Sequence, residues 1–181
     1  NHKKPHQPMK TTLFLLSAVF ALCGSICAQT FQWAKQMGGA SNDYGKGIAV
    51  DNSGNIYTTG YFYGTTDFDP GSGVFNLTAA GGPDIFVSKL DASGNFLWAK
   101  QIGGALGDFG SSIAVVGASE DVYITGCFEG TADFDPGSGV FNFTAAGSYD
   151  IFVSKLDASG NLVWAKQMGG ASDDEGYHLA V

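Results

Sequence analysis

The string Asp67-Phe68-Asp69-Pro70-Gly71-Ser72-Gly73 returns unchanged at 133–139, and it holds the side chains in this sequence best arranged for chemistry. Residues two apart on an extended chain point to one face, and calcium gathers about six to eight oxygen ligands. Asp67 and Asp69, with Asp133 and Asp135, are therefore candidate calcium ligands, Ser72 or backbone carbonyls completing the shell. Pro70-Gly71 interrupts the Asp-x-Asp-x-Asp-Gly signature of a calcium loop. A Pro-Gly turn capped by aspartates, with Phe68 buried, accounts for the same string. Calcium is the one cofactor the residues suggest.

Catalysis has little to draw on. His178 and Cys127 are the single histidine and cysteine after residue 28, and the chain has no arginine. No Ser-His-Asp or Cys-His constellation is expected within the two complete repeats described below. Asp67 and Asp69 form a carboxylate pair, but a pair in an exposed acidic loop is a weak glycosidase sign. The residues point to a protein that is not an enzyme. Trp33, Trp98 and Trp164 are candidate sugar-stacking platforms, although a Trp at a fixed repeat position more often packs between neighbouring units. Asn76-Leu77-Thr78 and Asn142-Phe143-Thr144 match the glycosylation acceptor pattern and are read as strand residues.

The N-terminal residues carry an address. Met9-Lys10 precedes an apolar run over 13–22, and Cys23-Gly24-Ser25-Ile26-Cys27-Ala28 follows. A basic start, a short apolar core and a small residue at the cut describe a helical signal peptide over 9–28, with Gln29 as the first mature residue. The run is short of the about 20 residues a spanning helix needs, so no stable membrane insertion is expected after cleavage. Residues 1–8 read as a non-native upstream leader.

Of the nine basic residues, Lys3, Lys4 and Lys10 precede the cut, whereas all 17 acidic residues follow it. Six basic against 17 acidic residues give the mature chain a net charge of −11. Nucleic acid is excluded as a partner, because its binding rests on Lys and Arg neutralising phosphates. With one cysteine left, no internal disulfide forms.

Repetition decides the fold class. Each tryptophan lies in a Trp-Ala-Lys-Gln string, at separations of 65 and 66 residues. Residues 67–76 recur identically at 133–142, and 84–95 at 150–161. The repeats span 31–95 and 96–161, with a partial third over 162–181. Four short strands are predicted per unit, at 46–51, 56–63, 85–91 and 96–102 in the first copy, each rich in Ile, Val, Tyr, Phe and Thr and bounded by turn residues. Asp51-Asn52-Ser53-Gly54-Asn55 and Asp91-Ala92-Ser93-Gly94-Asn95 are hairpin turns in which Gly supplies a positive φ. The second copy replaces the first of these with 116–121, one residue longer, where a looser hairpin is expected. Tandem four-stranded antiparallel units mean blades of a β-propeller, and less readily a β-solenoid.

These residues carry a family resemblance. Asp51-x-Ser53-Gly54-Asn55-x-Tyr57-x-Thr59-Gly60, then Asp84-Ile85-Phe86-Val87 and the Ser93-Gly94-Asn95 turn, resemble the bacterial β-propeller repeat family labelled SBBP. The resemblance implies a multi-blade propeller in a large exported protein, secreted or on the outer cell surface of a bacterium, with no catalytic residues. A closed ring of six to eight blades needs several hundred residues. Residues 29–181 are therefore expected to supply about two complete blades and the start of a third, the ring unclosed and the remaining blades lying in the same polypeptide. The leading expectation is a binding or adhesion scaffold for a protein, glycan or matrix ligand. The alternatives are a spacer holding a distal adhesive or sorting domain, and a propeller lyase or hydrolase with its active site in other blades.

Overall fold

A computed structural model describes residues 31–181, and the fold below is that of Trp33–Val181. The signal peptide at 9–28 and the leader at 1–8 lie outside the described residues. Every regular element among those described is a strand. The first blade pairs β2 (Asp43–Val50), β3 (Ile56–Phe62), β6 (Asp84–Leu90) and β7 (Phe96–Gly104), neighbour to neighbour and antiparallel throughout. The second repeats this with β8 (Asp108–Val116), β9 (Asp121–Asp133), β10 (Asn142–Leu156) and β11 (Leu162–Met168). The last strand of blade 1 thus begins at the 95/96 repeat boundary and pairs backward, so the sequence period and the blade are offset by one strand.

The turns form as their residues dictate. Asp91 Oδ1 accepts the Ser93 and Asn95 amides, each at 2.8 Å, and Gly94 takes a φ of 77°. Asp51 and Asp157 repeat the arrangement. The longer turn at 116–121 still closes a hairpin, with Val116 opposite Asp121. Its extra length carries Glu120 onto blade 1, where it meets Lys89 Nζ at 2.6 Å and accepts from Tyr57 Oη at 3.1 Å.

The insertion at 64–82 is more than a turn. β4 (Thr65–Asp67) and β5 (Asn76–Thr78) form a small hairpin, and β1 (Gly38–Gly39) pairs with β4 to make a three-stranded sheet. In the second unit the same hairpin is the outer half of β9 and β10, and Gly103 and Gly104 at the end of β7 pair with Asp133 and Ala132. The second insertion therefore stitches blade 2 to the last strand of blade 1, and the first ties to the aligned Gly38–Gly39 segment.

The core lies between the blades. Tyr57, Ile85 and Val87 of blade 1 pack with Ile124, Phe128 and Phe152 of blade 2, all 0% exposed. Residues after Met168 form no strand, yet they dock on blade 2 as blade 2 docks on blade 1. The Asp174 amide donates to Tyr149 O at 2.8 Å, as the Asp108 amide does to Pro83 O at 2.8 Å. Gly176 sits against Thr125 and Gly126 as Gly110 sits against Thr59 and Gly60.

Candidate functional site

The four candidate calcium ligands sit at the tips of the insertion hairpins. Asp67 Oδ1 accepts the amides of Asp69 at 3.0 Å and Phe75 at 2.8 Å, and Asp69 Oδ1 accepts Gly71 N at 2.8 Å. Asp133 and Asp135 make the same bonds. Phe68 and Phe134 are buried beneath. These bonds hold the loop in shape, and among the described residues no group of three or more acidic, His or Cys side chains is gathered for a metal ion.

Trp98 packs at the blade junction. Its ring meets Tyr57 edge-on at 6.1 Å, its Nε1 donates to Ala158 O in the next blade at 3.1 Å, and it lies over Gly160. Trp33 takes the same position over Gly94 and donates to Ala92 O at 3.3 Å.

A different set of residues forms a cavity. The first strands of successive units, β2, β8 and the stretch at 173–181, run side by side, and Gly47 approaches the backbone of Ile113 closely. At one end they border an open cavity of about 480 Å³, lined by Lys46, Phe109, Ser111, Cys127, Tyr149, Glu175, Tyr177 and His178. That volume falls in the range of about 300–1,000 Å³ usual for small-molecule sites. Aromatic rings continue away from it in a chain. Phe109 meets Tyr149 at 5.9 Å and Tyr61 at 4.8 Å, and Tyr61 stacks on Tyr44 at 4.8 Å. Lys46 Nζ lies 5.4 Å from the Tyr61 ring centre.

The cavity residues differ from unit to unit, as do several positions elsewhere in the repeat such as Thr66 and Ala132. Phe109 replaces Tyr44 and is replaced by Glu175; Lys46, Ser111 and Tyr177 share one position; Gly47, Ser112 and His178 share the next. Cys127 stands where unit 1 has Tyr61, and Tyr149 where it has Pro83. Every lining residue thus occupies a position at which the units differ. Exposure alone does not explain this, because residues 71–74 are exposed in both copies and identical.

Cys127 and His178 do line one cavity, brought together across units that sequence reasoning treated separately. The pairing has the wrong electrostatics for a nucleophile. Burial pushes the Cys127 thiol up to about 12, and the charges of Glu175, Asp108 and Asp173 add to the effect. A reactive cysteine needs the opposite shift, toward thiolate. Comparing the units position by position at 44, 46, 47, 61 and 83 is the sequence signal that marks this site.

Residues 32–69 match a family model described as a beta-propeller repeat (SBBP). The matched stretch contains β2 and β3, and the internal repetition carries the same pattern to Val181. The chain is also similar to an uncharacterized WD repeat-containing protein of Acanthamoeba polyphaga mimivirus, with 32% identity over 114 residues covering 55% of the chain and 8% of that protein. It is similar to the regulatory protein FlaEY of Caulobacter vibrioides, with 29% identity over 100 residues covering 55% of the chain and 10% of that protein. The chain spans about a tenth or less of the length of these curated relatives. It is an all-β array of β-propeller repeats.

Proposed function

We propose that this chain is part of an exported, non-catalytic binding protein whose blades form a fixed framework around a ligand cavity at the first strands. The observation that supports this reading most is the lining of that cavity: all of its residues differ between units whose framework segments at 67–76 and 84–95 are identical. A glycan is the ligand class we favour. Ring faces and edges from Phe109, Tyr149 and Tyr177 suit the apolar faces of a sugar, while Ser111, Glu175, His178 and Lys46 supply donors and acceptors for its hydroxyls. A secreted or cell-surface location, with a matrix or surface glycan as partner, is supported by the signal-peptide pattern at 9–28. A pure spacer accounts for the identical framework, but gives the aromatic and polar lining of the cavity no role.

Calcium at Asp67, Asp69, Asp133 and Asp135 remains part of the proposal as a loop-stiffening ion. A glycan microarray probed with the full chain, in EDTA and in millimolar calcium, tests both ideas. Selective binding to a related group of glycans is expected. Uniform background on all glycans would leave the cavity without its proposed ligand, and identical results in the two buffers would remove calcium from the account.

A further inference from the structure

Two carboxylates are buried where blade 1 meets blade 2. Asp84 opens β6, Asp108 opens β8, and both are 0% exposed. They crowd one point: a Cβ placed on Gly103 would come within 2.8 Å of Asp108 Oδ2 and 2.8 Å of Asp84 Cγ. One oxygen of each is satisfied. Asp84 Oδ2 accepts from Gln101 Nε2 at 2.5 Å and Ala80 N at 3.2 Å, and Asp108 Oδ2 accepts from Gly104 N at 2.7 Å. The other oxygens, Asp84 Oδ1 and Asp108 Oδ1, are buried without a hydrogen-bond partner.

The first unit shows what is missing. There Asp43, aligned with Asp108, accepts Gly39 N at 2.8 Å through Oδ2 and the Thr66 hydroxyl at 2.6 Å through Oδ1. In the second unit the Thr66 position is Ala132, itself 0% exposed, so the donor is gone and a methyl stands in its place. An unpaired charge in such a site is costly, and two like charges side by side disfavour joint ionisation.

We propose that Asp84 and Asp108 carry a single negative charge between them in mildly acid solution, with Asp108 protonated at its unpartnered oxygen, so that the blade 1–blade 2 joint weakens as pH rises toward neutrality. The surroundings agree. Burial first, with the charges of Asp84 and of Glu129 on β9 adding to it against the Gly104 and Glu129 backbone amides, pushes Asp108 up to about 7, and burial raises Asp84 as well. Gln101 on β7 brings no charge. Cys127 on β9 is held as a neutral thiol and Tyr149 on β10 as a neutral phenol, both pushed up chiefly by burial. Lys89 and Lys155 are engaged by Glu120 and Asp121. The folded-state value exceeds the ordinary carboxylate value of 3.8. The folded state therefore binds more protons than the unfolded state between about pH 4 and about pH 7, and stability falls across that window and levels above it.

The test is the melting temperature of the full chain from about pH 4 to about pH 9, for the wild type, Asp108→Asn and Ala132→Thr, in EDTA and in millimolar calcium. The wild type should lose melting temperature between about pH 4 and about pH 7. Asp108→Asn places an amide donor where the proton sat; it should lack that fall and melt above the wild type at pH 8. Ala132→Thr restores the donor of the first unit and should move the midpoint of the fall to lower pH. An unchanged pH slope in Asp108→Asn overturns the proposal. So does a calcium-induced rise of the wild type at pH 8 to its low-pH melting temperature, which would make a cation the occupant. If Asp108→Asn does not fold, carboxyl carbon NMR of the wild type decides between an inflection near 7 and ordinary carboxylate titrations alone.

Discussion

Trp98 carries several links at once: half-buried, edge-on to Tyr57, bonded to Ala158 O and resting on Gly160. Trp98→Ala removes a ring from the junction and leaves the Ala158 carbonyl without this donor. A loss of about 3 kcal/mol is expected by chemical denaturation, the low end for a truncated aromatic. Trp33→Ala, at the aligned and 36% exposed position, should cost less. A negligible effect at Trp98 would return the tryptophans to the surface and to the sugar-stacking role. The packing role was legible in the sequence, because three tryptophans at one period mark a repeated structural position. The partners of Asp67 and Asp69 were half legible. Their spacing allowed either a cation or a turn, and only the geometry shows Asp67 Oδ1 taking two amides of its own loop. Asp84 and Asp108 were not legible as a pair. Their meeting depends on how two blades dock, and the decisive change, Thr66 to Ala132, looks conservative in a strand.

At the level of elements, the four blade strands were readable to within a few residues, since β-branched and aromatic runs bounded by Gly, Asn and Asp have few other solutions. The insertion hairpin was not. β4 and β5 are three residues each, and the strand that completes their sheet is Gly38–Gly39, supplied from outside the hairpin and without a side chain to advertise it. Local patterning cannot reveal such a stitch. A second element-level feature is the bulge at the start of each blade, where the register shifts between Gly45 and Gly47 and between Gly110 and Ser112. Opposite it, a Cβ on Gly126 would lie 1.8 Å from Phe109 O and 3.0 Å from the Phe152 ring. Gly126→Ala must therefore push β8 away from β9, and a destabilisation of about 2 kcal/mol or more is expected from overpacking alone. Gly45→Ala meets nothing within 4 Å and should be close to neutral. Equal melting temperatures for the two variants would mean that the bulge is softer than its geometry implies.

At the scale of the whole molecule, burial is uneven in a way the repeats make measurable. Ile113 of β8 is 6% exposed because blade 1 covers it, whereas the aligned Ile48 of β2 is 68% exposed. Blade faces are built to be covered by a neighbouring blade, which is why stacking rather than any single unit supplies the core. The same stacking brings residues from three units to one cavity, and that convergence is invisible along the chain. What the sequence did hold was the divergence itself, at positions that share no spacing pattern until the strands are laid side by side. The most direct test of ligand capture there is to repeat the glycan microarray with two exposed-site variants: Tyr177→Ser in the cavity, 63% exposed, and Val140→Ser on the insertion loop, 73% exposed. Neither should shift stability by more than about 0.5 kcal/mol. Tyr177→Ser should lose at least about tenfold in signal on the glycans that bind the wild type, while Val140→Ser keeps it. Full binding by Tyr177→Ser, or an equal loss in both variants, would contradict a ligand site at the first strands of the units.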